Sequence, residues 1–405
     1  MNNSLNNADK YFYPADILLP KKDIEKWAVI ACDQYTSEPE YWEDVKNIVG
    51  DSPSALNIML PEIYLSDDNS KDIERINATM RKYMAEGVFN ERKDTMIYVE
   101  RYLDGKVRKG LVGLIDLEDY EYKSDAKALI RATEETIEER LPARVEIRRD
   151  ALLEMPHILL LFDDPTRSVV KPLESRKEEF ETCYHFDLMK EGGHVHGYYL
   201  DRETITSVQN SLENLMESGD DLLFVVGDGN HSLAAAKEYY NETKDPNARY
   251  ALVEIENIHD KSIEFEPIYR VLFNVDENDF LEKFKAYADE NGGENIHKYD
   301  FYSKNKNGTI EIKGNDKLPV GTLQKFIKEY IKEHKEVKVD YIHGREVVKK
   351  LSTKENVLGF IFDGLSKFDF FPAIRAQGSL PRKTFSMGHA KDKRFYIETH
   401  KIKGE

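Results

Sequence analysis

Apolar residues recur along this chain with two different periods, which predict a mixture of strands and helices. Continuous apolar runs at 157–162 and 222–226 are typical of buried strands. Residues 68–84 carry apolar side chains at helical spacing instead, and Gly87 follows them as a stop signal. Together these patterns predict an α+β protein in which helices pack against a mixed sheet.

Turn signals add a hairpin and a further helix to this outline. Residues 95–103 and 109–117 flank Asp104-Gly105, a dipeptide that favours tight hairpin turns, and predict an antiparallel pair. The composition of 126–141 favours a helix, which we expect Pro142 to end.

A change in composition indicates a domain boundary. Acidic and lysine-rich helical segments become frequent after residue 275. We therefore expect a main α+β domain at 11–275 that holds the ligand site. A smaller C-terminal α/β part at 276–405 would return a site segment at 380–388.

The stretch 222–240 is the most informative part of the sequence. It predicts a buried strand, a tight turn and then a helix that Asn230 or Ser232 would cap. The start of a helix has unpaired backbone N–H groups and the positive end of the helix dipole, which suit a phosphate or carboxylate. The sequence therefore predicts an anion site at this turn, formed by Gly227, Asp228, Gly229, Asn230, His231 and Ser232.

A purely structural turn explains the same residues about as well on spacing alone, because Gly, Asp and Asn favour turns. The stretch contains neither the Gly-Lys-Ser/Thr of a Walker A loop nor the Gly-x-Gly-x-x-Gly of dinucleotide-binding proteins. The density of polar side chains directly after a buried strand favours the functional interpretation.

Composition limits the partners. A net charge of -18, from 76 acidic and 58 basic residues, disfavours nonspecific binding to nucleic acid or to an anionic membrane. No apolar stretch approaches the roughly 20 residues that span a bilayer, and the N-terminus lacks the pattern of a signal peptide. We expect a cytoplasmic protein with a small-molecule substrate or metabolite and no nucleic-acid or membrane partner, its oligomeric state left open. Cys32 and Cys183 are too few for a disulfide framework or a cysteine metal cluster.

A second group of side chains near the end of the chain suits phosphate chemistry. Arg382, Lys383 and Ser386 form a compact set of donors for phosphate oxygens. A solvated basic turn is the alternative interpretation, since arginine–lysine pairs are common on surfaces.

Acidic side chains provide candidates for a base and for a metal ligand. Glu134, close to the phosphate-binding candidate Arg131, would act as a general base, although an exposed charged helix face explains both residues more simply. Magnesium carried by a phosphate ligand needs only one or two carboxylates, which Asp228, Asp33 or Glu134 would supply.

The histidines outside the turn are interpreted as structural. His194 and His196 alternate on a predicted strand, so both rings project to one face. No third ligand is identifiable, which favours two exposed or hydrogen-bonded side chains over a metal site. His157 stands at a strand start after a proline and is assigned to the framework.

Six separated stretches carry the motifs of one protein family. They are Tyr-Pro-Ala-Asp-Ile-Leu-Leu-Pro at 13–20, Ala-Cys-Asp-Gln-Tyr-Thr-Ser at 31–37, Ile-Arg-Ala-Thr-Glu-Glu-Thr at 130–136, Pro-His-Ile-Leu-Leu-Leu-Phe-Asp-Asp-Pro at 156–165, Gly-Asp-Gly-Asn-His-Ser at 227–232 and Leu-Pro-Arg-Lys-Thr-Phe-Ser-Met-Gly at 380–388. In these stretches the chain resembles the Domain of Unknown Function 1015 family, a group of uncharacterised bacterial and archaeal proteins. The resemblance covers nearly the whole chain.

The family's turn more often reads Ala-Asp-Gly-His-His-Arg-Tyr, which is similar to the turn of the ParB/sulfiredoxin-like superfamily. Sulfiredoxins and free-serine kinases of that superfamily use the turn at a nucleotide-phosphate site, and its chromosome-partition proteins are nucleotide-dependent. The resemblance therefore implies a ParB/sulfiredoxin-like element at 222–240 that binds a nucleotide phosphate. The matching residues are Asp228, Gly229 and His231.

Two residues of the turn depart from the family pattern. Asn230 stands where the family usually has histidine, and Ser232 stands where it usually has arginine. Without that arginine, phosphate binding would depend on backbone N–H groups and on a distant cation such as Arg382 or Lys383.

The leading hypothesis is a phosphotransferase-like enzyme, similar to free-serine kinases, that uses a nucleotide or other phosphate donor with magnesium. In this hypothesis the turn holds phosphate oxygens, Asp228 binds magnesium or orients the acceptor, and His231 donates to a phosphate oxygen. Glu134 acts as the general base. Arg382 and Lys383 neutralise the charge of the transferred group. Two alternatives stay open. One is a noncatalytic nucleotide- or metabolite-binding protein, which the missing arginine favours, and the other is a small-molecule phosphate hydrolase.

Overall fold

The computed structural model describes residues 10–134, 136, 141–217 and 221–403, and it has the predicted α+β class. The helices in this part of the chain are α1 (Ile24–Trp27), α2 (Pro39–Val49), α3 (Ser70–Ala85), α4 (Leu141–Arg149), α5 (Val170–Arg176), α6 (Arg202–Glu217), α7 (Asn230–Thr243), α8 (Glu277–Asn291), α9 (Pro319–Glu333), α10 (Arg345–Leu351) and α11 (Phe370–Gln377).

Most of the strands join one of two sheets, and the rest form short pairs. The strands are β1 (Ala15–Pro20), β2 (Val29–Ile30), β3 (Phe89–Thr95), β4 (Ile97–Leu103), β5 (Lys106–Asp116), β6 (Tyr120–Glu121), β7 (Ile130–Arg131), β8 (Leu153–Glu154), β9 (Leu159–Phe162), β10 (Glu181–Asp187), β11 (His194–Tyr199), β12 (Phe224–Asp228), β13 (Tyr250–Asn257), β14 (Phe265–Phe273), β15 (Asn295–Tyr302), β16 (Asn307–Gly314), β17 (Lys338–His343), β18 (Val357–Phe362), β19 (Phe385–Met387), β20 (Phe395–Tyr396) and β21 (His400–Lys401).

The chain divides into two compact units, one of the described residues up to 263 with those from 388 onward, and one of residues 264–387. This division differs from the predicted boundary at 275. Strand β14 lies before that boundary, yet it pairs with β17 and β18 of the second unit. The end of the chain returns to the first unit, where β20 pairs with β2.

A nine-stranded mixed sheet forms the centre of the first unit, in the order β10-β11-β4-β5-β13-β9-β12-β7-β6. The predicted hairpin is confirmed as β4 and β5. Both faces of the sheet are covered, since Ala251, Val253 and Ile255 of β13 join one apolar core while Leu252 joins the other. Helix α7 packs on the first of these cores through Leu233 and neighbouring residues.

The second unit has its own sheet, in the order β16-β15-β18-β14-β17, with β19 also paired to β14. Helices α8 and α9 contribute Phe280, Phe284 and Phe326 to its apolar core. The rings of Phe284 and Phe326 stack with centroids 4.9 Å apart, so aromatic packing fixes the helices against this sheet.

The predicted helix at 126–141 is wrong where the structure describes it. Residues 126–134 form loop and the short strand β7, and positions 135 and 137–140 lie outside the described residues. Pro142 does not end a helix but lies in the first turn of α4. A proline is well tolerated there, because the first N–H groups of a helix have no intrahelical partner.

No helix in the described part of the chain combines the length and the apolar character needed to cross a membrane.

A buried arginine joins the end of the chain to the sheet of the first unit. The Arg394 guanidinium donates to Glu254 and to Glu398, each at 2.6 Å, and all three side chains are at most 6% exposed. It also donates at 2.6 Å to the carbonyl of Pro156. Buried charges of this kind must be paired, because desolvation would otherwise be very costly.

Replacing this arginine should destabilise the first unit strongly. Arg394→Met leaves two buried carboxylates without their cation, and we expect the free energy of unfolding in urea to fall by about 3–5 kcal/mol. Arg75→Met is the control, because its pair with Asp72 is about half exposed and should contribute less than about 1 kcal/mol. Equal losses in the two variants would contradict this interpretation of Arg394.

Candidate functional site

The predicted strand, turn and helix around residue 229 are confirmed. Strand β12 ends at Asp228, Gly229 is left-handed with φ 84° and ψ 25°, and α7 begins at Asn230. A Cβ atom on Gly229 would lie 3.0 Å from the Cα of Ile158. Backbone conformation and close packing therefore both require glycine here.

The predicted capping of α7 by Asn230 or Ser232 is wrong, because Gly229 is the N-cap residue and provides no side-chain cap. Asn230 instead donates through Nδ2 to the Thr133 hydroxyl at 2.9 Å, and its Oδ1 accepts the Thr133 N–H at 3.1 Å. The Ser232 hydroxyl bonds to a histidine. The positive end of the α7 dipole is thus not masked by a cap side chain.

Asp228 is paired with a cation that sequence reasoning missed. Its Oδ2 lies 3.1 Å from Lys393 Nζ, and its Oδ1 accepts the Gly229 N–H at 3.0 Å. The Lys393 side chain is 11% exposed and that of Asp228 is 20% exposed. Arg101 fixes the lysine backbone by donating to the Lys393 carbonyl at 2.6 Å. The turn therefore has a partly buried ammonium group beside it.

His157, assigned to the framework from the sequence, belongs to a hydrogen-bonded chain that reaches the turn. Its Nε2 lies 3.0 Å from Ser232 Oγ, and its Nδ1 lies 2.8 Å from the Tyr396 hydroxyl. The Tyr396 oxygen also accepts the Cys32 N–H at 3.2 Å. Burial raises the pKa of Tyr396, so its hydroxyl stays protonated and shares a hydrogen bond with the imidazole.

Asp33 adds a second carboxylate to these surroundings. Burial alone would raise the pKa of its carboxyl, but the charges of His157 and Lys393 and the hydrogen bond from Gln34 at 2.9 Å lower it below the ordinary value. Asp33 is therefore ionised at neutral pH. Asp33 follows β2, which ends three residues before it.

A cavity of about 170 Å³ adjoins the turn. Cys32, His157, Ser232 and Tyr396 contribute to its lining, and the rest of the wall is mainly apolar. Asp228 and His231 are not part of this lining, but both are half-buried and so keep some contact with solvent. The turn is therefore not sealed in the interior.

The other predicted site residues of the first unit lie near β12. Thr133 bonds to Asn230, so the backbone that leads into Glu134 lies beside the turn. Arg131 is buried and binds Asp221 at 2.8 Å and the Ala128 carbonyl at 2.9 Å, on the side where β12 begins. The phosphate-binding role of Arg131 stays a prediction.

Arg382, Lys383 and Ser386 belong to the second unit, whereas the turn belongs to the first. Their segment is held by the fully buried Arg270, which donates to the carbonyls of Arg382 and Lys383, each at 3.0 Å. Ser386 lies in β19, opposite Glu266. That these three residues join the turn in one site stays a prediction.

Both histidines of β11 are hydrogen-bonded, as predicted. His194 Nδ1 lies 2.7 Å from Asp187, and His196 Nε2 lies 3.0 Å from the Thr182 hydroxyl. Within the described ranges, no group of three or more His, Cys, Asp or Glu side chains is arranged to hold a metal ion. Magnesium at Asp228 therefore stays a prediction that depends on a phosphate ligand.

A model of the family described as "Protein of unknown function (DUF1015)" matches residues 13–353. The chain belongs to the DUF1015 family. The matched region contains the turn and Asp33, but it ends before the 380–388 stretch and before Lys393. A comparison with curated proteins found no match.

Three solved structures show a distant similarity to this chain. A conserved hypothetical protein from Pyrococcus furiosus is 12% identical with a TM-score of 0.38, covering 71% of this chain and 94% of that one. A mutant free serine kinase in complex with AMP is 11% identical with a TM-score of 0.42, covering 71% and 91%. A mutant of a free serine kinase with ADP is 12% identical with a TM-score of 0.42, covering 73% and 93%. Similarity at this level identifies neither a fold nor an activity.

Two glycines test how tightly the turn is packed. Gly105→Ala introduces a side chain at φ 74° with nothing within 4 Å, and we expect a cost of about 1–2 kcal/mol. Gly229→Ala adds a contact with the Ile158 backbone to the same conformational strain, so its cost in urea unfolding should be about 1–3 kcal/mol larger. Matching losses in both variants would show that the turn is free to relax.

Proposed function

We propose that this DUF1015 protein is a cytoplasmic small-molecule phosphotransferase of the ParB/sulfiredoxin-like type, resembling free-serine kinases in using a nucleotide or other phosphate donor. The observation that carries the proposal is the position of Lys393, whose ammonium group pairs with Asp228 directly before the uncapped start of α7. A helix start and a nearby cation together favour a phosphate group.

Lys393 supplies the cation that the family turn loses when Ser232 replaces the usual arginine. The lysine reaches the turn from the end of the chain and contacts Asp228. A donor phosphate would draw the ammonium group toward its own oxygens, while Asp228 would bind the magnesium that accompanies the phosphate. His231 donates to a phosphate oxygen in this scheme, with Arg131, Arg382, Lys383 and Ser386 as further proposed contacts.

The transfer step needs a donor, an acceptor hydroxyl and a base. The hydroxyl oxygen attacks the terminal phosphorus of a nucleoside triphosphate, and a new O–P bond forms. The bond from that phosphorus to the bridging oxygen breaks, and its electron pair leaves with the nucleoside diphosphate. The hydroxyl proton passes to a carboxylate. Catalysis then consists mainly of positioning and charge neutralisation.

Two carboxylates are candidates for the base. Glu134 is the candidate from the sequence, and the Thr133–Asn230 contacts keep its backbone beside the turn. Asp33 is the candidate from the structure, since it is ionised and lies in the field of His157 and Lys393. Both are close in sequence to residues that contact the turn or line the cavity.

A noncatalytic binding protein is the second candidate function. The contact between Lys393 and Asp228 already neutralises the lysine charge, and Ser232 provides no guanidinium to replace it. A ligand that stabilises the protein without being converted would favour this candidate. Phosphate release without an acceptor would indicate a hydrolase instead.

Titration with ATP and Mg²⁺ tests the role of Lys393. We expect ATP to bind the full-length protein, and Lys393→Met to weaken binding about 10- to 100-fold through loss of a charge-assisted contact. Lys391→Met is the matched control, because this lysine lies two positions away and pairs with Asp104 on the surface. No heat of ATP binding in calorimetry, or equal affinities in the two variants, would refute the assignment.

Removal of each carboxylate tests the catalytic scheme. The activity measured is the formation of phosphorylated acceptor. Loss of the general base should lower kcat about 10²- to 10⁴-fold and leave the affinity for ATP unchanged. We expect this loss of kcat in either Glu134→Gln or Asp33→Asn. Glu43→Gln is the control and should keep its kcat, because Glu43 is an exposed carboxylate paired with Lys46. Unchanged turnover in both site variants would eliminate the proposed base chemistry.

A further inference from the structure

The cavity beside Ser232 is more apolar than a site for a fully polar metabolite would be. Met59, Leu60, Met80, Ile147 and Leu252 are among the side chains that line it. Methionine side chains are flexible and adapt to the shape of an apolar ligand. Such a wall favours a ligand with a hydrocarbon body, because contact with it removes apolar surface from water.

The size of the cavity sets the size of the ligand. Its volume of about 170 Å³ is close to that of an engineered apolar cavity of about 150 Å³ that binds benzene. One aromatic ring or a branched aliphatic chain with a single polar substituent therefore fits this space.

The charged groups on the wall are already paired. Arg148 donates to Glu154 at 2.6 Å, and Arg144 forms an ion pair with Glu62. Each of these arginines already has a carboxylate partner, so neither is available to pair with the carboxylate of a small amino acid.

The polar end of the cavity lies at the turn. Ser232 Oγ and the His157 ring share a hydrogen bond there, and both residues line the cavity. A ligand hydroxyl that met them would stand beside the start of α7, where the proposed function places the donor phosphate.

We infer that the cavity is the acceptor site and that it takes an uncharged alcohol with an apolar body, its hydroxyl directed toward Ser232 and His157. This inference rests on the proposed phosphotransferase function for its catalytic meaning. Binding of the alcohol itself is independent of the donor.

Binding of benzyl alcohol, with L-serine as a polar ligand of similar size, tests the cavity directly. In the absence of nucleotide, benzyl alcohol should raise the Tm of the full-length protein in a saturable manner, and serine should not. Two-dimensional NMR or calorimetry would give the affinity. Serine binding without benzyl alcohol binding would overturn the inference while leaving the proposed function intact.

Two consecutive alanines on α7 provide a matched pair of variants. Ala235 and Ala236 are both buried, at 3% and 1% exposure, but only Ala235 lines the cavity. Ala235→Val should weaken benzyl alcohol binding about tenfold by filling the site, whereas Ala236→Val should leave it unchanged. Should Ala235→Val fail to fold, Ala151→Leu fills the same cavity from a loop.

The remaining outcomes separate the two proposals. Phosphorylation of benzyl alcohol by ATP, lost in Ala235→Val, would support both. Alcohol binding without any nucleotide binding would support the cavity assignment and remove the phosphotransferase. Equal effects of the Ala235 and Ala236 variants would overturn the assignment of the cavity.

Discussion

Arg394 carries a positive charge into the interior of the first unit, where Glu254, Glu398 and the Pro156 carbonyl all accept hydrogen bonds of 2.6 Å from it. The pairing offsets the cost of burying three charges, and it holds the end of the chain in a fixed position. The residues on either side of this arginine reach the turn. Lys393 pairs with Asp228, and Tyr396 bonds to His157. Because Pro156 precedes His157, one guanidinium positions both sides of the hydrogen-bonded chain.

The candidate site therefore combines segments that are far apart in the sequence. Asp33 follows β2, His157 precedes β9, the turn follows β12, and Lys393 and Tyr396 come from the last part of the chain. None of these segments alone provides an anion, a cation and a cavity. The pairing of β2 with β20 brings the first and last of them together. Packing across the sheet, rather than any local motif, creates the chemistry of the site.

This dependence on long-range contacts explains how much the sequence could predict. The strand, turn and helix at 222–240 follow from local signals, and Gly229 has the left-handed φ that a tight turn requires. The helix predicted at 126–141 is wrong because a long-range contact outweighs the local signal. Pairing with β12 overrides the helical propensity of the residues around β7. The sequence around Lys393 contains no signal of a site, because lysines are common in charged segments. Only the three-dimensional contact with Asp228 distinguishes this one. His157 was undervalued for the same reason.

The paired state of Lys393 also bears on how a phosphate would enter. The Lys393 ammonium group already pairs with Asp228 at 3.1 Å. An incoming anion must therefore compete for the lysine with this carboxylate, which also accepts the Gly229 N–H. Under the proposed function, magnesium would remove this competition, because a divalent cation can hold Asp228 and the phosphate together. The DUF1015 turn with arginine in place of Ser232 would need less such help, since a guanidinium binds phosphate in a bidentate manner. Under the proposed function, the serine in this chain would leave charge neutralisation to Lys393 and to the magnesium ion instead of an arginine.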